Sequence, residues 1–100
     1  MQKFVFFDRD GVINSDVGHY YIFKAEDFKI NDGIIYAMHQ LQANGFKFIV
    51  VSNQGGVSKG IYTKNDVHKV HEKFLNILEK FTIVHIIAIL KNAFAANLIH

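Results

Sequence analysis

Apolar residues gather in short tight runs in some parts of this chain and recur at helical spacing in others. Positions 4–7 form an aromatic-rich apolar run that predicts a buried strand over about 3–7. After the turn residues Asn31-Asp32-Gly33, Ile34, Ile35, Met38 and Leu41 recur at helical spacing, and Gly45 follows as a stop. That pattern predicts a helix over 33–44. Positions 46–51 are apolar and β-branched, as a buried parallel strand should be. Strand, helix, strand within about fifty residues is a βαβ unit, whose crossover should be right-handed. Thr63 with Asp66 three residues on resembles a capping box. Val67, Val70, Phe74, Leu75, Leu78 and Phe81 then give a helix over 64–80 one apolar face, and 83–90 offers a third strand. No repeat, linker or low-complexity segment interrupts this order.

The chain has 100 residues, room for one core. Half of it is hydrophobic and a fifth charged, the balance of a globular protein rather than a disordered one. A formal charge of +2 with no run of basic residues argues against a nucleic-acid partner. The absence of cysteine excludes disulfides and any cysteine zinc site. The N-terminus does not read as a signal peptide, and the apolar stretch 83–90 is too short to span a bilayer. The expectation is a cytoplasmic protein with no membrane partner. After Glu79 there is no acidic residue, and from 82 to 100 the one charge is Lys91. A tail this apolar has no polar outer face, so it is read as divergent and as a route to self-association.

Chemistry concentrates in Phe6-Phe7-Asp8-Arg9-Asp10-Gly11-Val12. In an extended chain residues i and i+2 point the same way, so Asp8 and Asp10 should enter one cavity while Arg9 faces elsewhere. One carboxylate can then serve as nucleophile and the other as proton carrier. Asp10-Gly11 is also a common turn signal. A calcium loop fails on spacing, because Val12 and His19 stand where a ligand and a Glu are required. The second motif, Val50-Val51-Ser52-Asn53-Gln54-Gly55-Gly56, decides for chemistry. Ser52 ends its strand as Asp8 ends the first, and in adjacent parallel strands those ends lie side by side. A Ser hydroxyl, Asn53 and the amides of a Gly-rich turn supply donors for a phosphoryl group. Gly55 to Gly60 is not a P-loop, since no Gly-Lys-Ser/Thr follows at the required spacing.

Both motifs resemble those of haloacid-dehalogenase-type phosphatases. Within that superfamily the chain is most similar to the family of D-glycero-D-manno-heptose 1,7-bisphosphate 7-phosphatases and histidinol-phosphate phosphatases. Asp16-Val17-Gly18-His19-Tyr20 sits where the former carry a Gly-Tyr-bearing substrate loop, and the likeness covers about 3–81. The resemblance implies an α/β fold with an incomplete Rossmann-like parallel sheet and flanking helices. It implies that Asp8 attacks phosphorus and that Asp10 protonates the leaving alcohol and later activates water. It also implies that the Asp8 carboxylate and the Asp10 carbonyl hold magnesium. Arg9, Asp16, Gly18, His19, Ser52, Asn53, Gln54, Gly55 and Lys59 would contact a small phosphorylated sugar.

The chain departs from the family pattern in several places. Gly55 stands where the family often has Ser, Lys59 where it has Arg, and His19 where it has Tyr. The family's later Lys motif, its acidic pair and the zinc loop of many relatives have no counterpart here. These gaps keep three readings open: heptose bisphosphate phosphatase, histidinol-phosphate phosphatase, and a truncated, catalytically inactive remnant that binds phosphate weakly. His68, Lys69, His71, Glu72 and Lys73 read as a solvated helix face, and Phe74 and Phe81 as core.

Overall fold

A computed structural model describes residues 2–91. Three strands, β1 (Lys3–Asp8), β2 (Phe46–Asn53) and β3 (Ile86–Lys91), form one parallel sheet in the order β1-β2-β3. Helix α1 (Ile34–Ala43) connects the first pair, and a short helix α2 (Gly55–Ser58) with the long α3 (Lys64–Lys80) connects the second. The register runs from Lys3 opposite Phe46 to Asp8 opposite Val51, and from Phe48 opposite Ile86 to Asn53 opposite Lys91. β2 and β3 end level at Asn53 and Lys91, whereas β1 stops two residues short, so Ser52 lies one position past the partner of Asp8 rather than beside it.

Each element has a local cause. Gly33, at φ +86°, caps the start of α1 in a left-handed conformation that glycine adopts without a side-chain clash. Thr63 Oγ1 accepts from the Asp66 amide at 3.1 Å, and Asp66 Oδ2 accepts from the Thr63 amide at 2.9 Å, so the capping box forms with Asp in the Glu position. β2 runs two residues beyond the expected 46–51, because Ser52 and Asn53 pair with β3. β3 starts three residues later than the expected 83–90, after a connection in which Thr82 and His85 take positive φ. Residues 86–91 thus form the sheet's third strand, as the apolar run predicts. The rest of the apolar tail, 92–100, on which the expectation of self-association rests, lies outside the described residues.

Both crossovers step the same way along the sheet, which places helices of one handedness on one face. The larger of two core clusters among the described residues joins them: Phe48 and Val50 of β2, Met38 of α1, and Val70, Phe74 and Leu78 of α3, with Ile13, Ile22 and Phe28 from the long β1–α1 connection. Four side-chain expectations change. Leu75 and Phe81 are exposed rather than core. His71 is buried, 7% exposed, because α3 turns it toward the sheet rather than the solvent. Lys73 is half-buried and donates to the carbonyls of Ala25 (2.7 Å) and Phe28 (3.0 Å), fastening the β1–α1 connection to α3.

Candidate active site

β1 stops at Asp8, and the chain then folds around the Arg9 carbonyl, which accepts from the amides of Ile13 (2.9 Å) and Asn14 (3.1 Å). Gly11 makes this possible at φ +89°, and the Asp16 carboxylate lies so near that an added Cβ would be 3.3 Å from its oxygen. The Arg9 amide still donates to the Val51 carbonyl at 2.9 Å, so the turn stays anchored to β2.

Asp8 is exposed at the strand end, and Asp10, two residues on at the start of the turn, has its side chain 28% exposed. Arg9 does not face elsewhere: its Nε and Nη2 donate to Asp10 Oδ1 at 3.0 and 2.7 Å, and Nη2 also reaches Oδ2 at 3.0 Å. The guanidinium is fully buried, lies 5.8 Å from the Phe28 ring centre, and donates to the Ile22 carbonyl at 3.0 Å. Asn14 adds a further donor to Asp10 Oδ1 at 3.0 Å. The bonds of Nε and Nη2 thus turn inward, to Asp10 and Ile22.

Asp10 stands on the wall of a cavity of about 550 Å³. Asn53, Gly55 and Lys59, all expected to contact substrate, line the same cavity, and so do Tyr20, named above in the substrate loop, and Tyr21 and Tyr62, which were not singled out. Phe23 stacks on Tyr62 with ring centres 4.9 Å apart, and Tyr21 meets Tyr62 edge-on at 5.4 Å. The signal was the aromatic run Tyr20 to Phe23 directly after the Gly18 loop, too dense for an ordinary solvated turn.

Other expected site residues stand apart. Ser52 and Gln54 are buried behind the wall: Gln54 Nε2 donates to Ser52 Oγ, and Tyr62 donates its hydroxyl to Gln54 Oε1 at 2.6 Å. Burial, the largest influence, raises the Tyr62 pKa above its ordinary value, which keeps the phenol protonated as that donor. Asp16, Gly18 and His19 are exposed, and His19 turns to Asp27 at 3.9 Å, lining a separate hollow. Among the described residues no three His, Asp or Glu gather closely enough to form a metal site on their own.

Asp8 ends β1, Asp10 follows two residues on, and Ser52 lies in the adjacent β2 one position past the partner of Asp8. The family model for polynucleotide kinase 3 phosphatase matches residues 3–96, past the limit of 81 set from sequence, and the chain belongs to that family. It is 40% identical over 75 residues to the D-glycero-beta-D-manno-heptose-1,7-bisphosphate 7-phosphatase of Photorhabdus laumondii, covering 75% of this chain and 35% of that protein. The enzyme of the same name from Escherichia coli K12 is 43% identical over 60 residues, 60% of this chain and 30% of that one. The chain thus spans about a third of the length of these relatives.

Among solved structures, a D,D-heptose 1,7-bisphosphate phosphatase from B. bronchiseptica, complexed with magnesium and phosphate, superposes with a TM-score of 0.83 at 20% identity. The match covers 96% of this chain and 53% of that one. The Burkholderia thailandensis enzyme of that name gives 0.68 at 25% identity, over 89% and 52%.

Proposed function

We propose that the chain carries the nucleophile half of a cytoplasmic phosphomonoester hydrolase that removes the 7-phosphate of D-glycero-β-D-manno-heptose 1,7-bisphosphate. The observation that carries this reading is Asp8, exposed at the end of β1, with Asp10 two residues on in the wall of a cavity that Lys59 also lines. An Asp8 oxygen attacks phosphorus, and the acyl phosphate forms as the sugar alkoxide leaves with a proton from Asp10. Asp10 then takes a proton from water as that water attacks phosphorus, releasing inorganic phosphate and restoring Asp8.

The cavity wall supplies the binding groups. Lys59 provides positive charge and Asn53 hydrogen-bonding groups, while Tyr20 and Tyr21 offer flat surfaces to a sugar ring. Asp16, Gly18 and His19 serve this reading as the loop that delivers the two tyrosines. Ser52 and Gln54 act from behind, by holding Tyr62.

Magnesium fits such a site, because it is held by one or two carboxylates together with substrate oxygens and water. Here the Asp8 carboxylate and the Asp10 carbonyl would hold it. When bound it would neutralise charge on the transferring phosphoryl group.

Phosphate release from heptose 1,7-bisphosphate, histidinol phosphate and a 3′-phosphorylated oligonucleotide, each with magnesium, tests the reading. The bisphosphate should be preferred. Asp8→Asn should abolish release while the circular dichroism spectrum is unchanged, since an amide cannot form the acyl phosphate. Undiminished release in Asp8→Asn overturns the covalent route. A folded chain that releases nothing from any of the three supports the inactive, phosphate-binding alternative.

A further inference from the structure

A carboxylate that must give a proton to one oxygen and then take one from another has to be held at a fixed angle. Asp10 has two side-chain torsions and a partly solvated head, so its backbone alone does not fix it. Three hydrogen bonds from Arg9 span both of its oxygens, and Asn14 adds a fourth. Such a fork sets the plane of the carboxylate as well as its position, which a single donor does not. The guanidinium is itself fixed, being fully buried and bonded through Nη2 to the Ile22 carbonyl. Ile22 follows Tyr20 and Tyr21, so one buried cation ties Asp10 to the segment that forms the cavity's aromatic wall.

We propose that Arg9 is a positioning residue: it touches no substrate, and it orients the Asp10 carboxylate for proton transfer while setting its distance from the tyrosine wall. This rests on the reading of Asp10 as the proton carrier. It reassigns Arg9 from the ligand contact that its place between the two aspartates suggests.

The test uses the full chain and a double-mutant cycle. Arg9→Met should lower kcat by about a hundredfold, the scale of a misplaced catalytic group, with KM little changed. In an Asp10→Asn background the same substitution should add almost nothing, because its effect runs through Asp10. Arg9→Lys keeps a buried charge, so it tests the fork where Arg9→Met fails to fold, and its kcat should also fall below that of the unsubstituted chain. Additive losses in the cycle overturn the proposal, and so does a raised KM at unchanged kcat.

A second measurement needs no activity. The Arg9 Nε–H proton should exchange slowly with solvent in the unsubstituted chain and shift in the nitrogen–proton spectrum of Asp10→Asn. An unmoved signal means that Arg9 does not hold Asp10. If the chain releases no phosphate at all, the functional reading fails while this measurement still decides the contact.

Discussion

His71 shows how one residue can carry a pH dependence for the whole domain. Burial, with the Arg9 charge adding to it, lowers its pKa from an ordinary 6.5 to about 4. Its Nε2 is buried without a hydrogen-bond partner, so the neutral ring is the form the core accepts. Between pH 6.5 and 4 the unfolded chain binds a proton that the folded chain refuses. Stability from this residue is therefore full above about 6.5 and lost as pH falls toward 4, by up to about 3 kcal/mol. Asp66, whose pKa the Thr63 amide lowers, adds a loss of the same sign at more acid pH. Urea midpoints for His71→Leu should vary less across this window than those of the unsubstituted chain. An equal slope would show that His71 is protonated in the folded state. Neither His71 nor Arg9 was legible from sequence, because burying a polar side chain depends on which distant segments close over it. For Arg9 those are the turn at Gly11 and the segment through Ile22, neither of which has a periodic signature.

At the scale of elements the sequence was far more informative, since caps and periodicity are local. α3 begins and ends as its capping box and apolar spacing predict, and α1 is bounded by Gly33 and Asn44 within one residue of expectation. Strand ends were less legible because pairing sets them: β2 lengthens only where β3 is present to meet it. α2 was read merely as a Gly-rich turn, yet its two glycines are not equivalent. A Cβ on Gly56 would fall within the edge of the Tyr62 ring, whereas one on Gly55 would meet only Asn53 Oδ1 at an ordinary 3.8 Å. Gly56→Ala should destabilise by about 1–3 kcal/mol, the usual range for overpacking. It should also change tyrosine fluorescence as Tyr62 leaves its stack on Phe23. Gly55→Ala should do neither. Equal effects of the two substitutions would mean that Tyr62 does not pack against α2.

Across the whole molecule the sheet has two unlike faces, and this follows from topology rather than from composition. Because both crossovers lay their helices on one side, Val5, Phe7, Phe48 and Val50 enter the core. Phe6 is 66% exposed and Ile87 54%, and Phe4 and Ile89 are exposed on the same face, as the register places them. Alternation along β1 and β3 cannot reveal this, since both faces of each strand are apolar, as in a sheet covered on both sides. The asymmetry predicts a graded response to truncating aromatic residues. Phe48→Ala and Phe74→Ala should each lower stability by about 3–5 kcal/mol, because they leave cavities in the shared core. Phe6→Ala should cost under about 1 kcal/mol, since its ring already meets water and only strand preference is lost. Urea unfolding of the three variants provides the comparison, and a Phe6→Ala loss as large as that of Phe48→Ala would mean that the outer face is covered in solution.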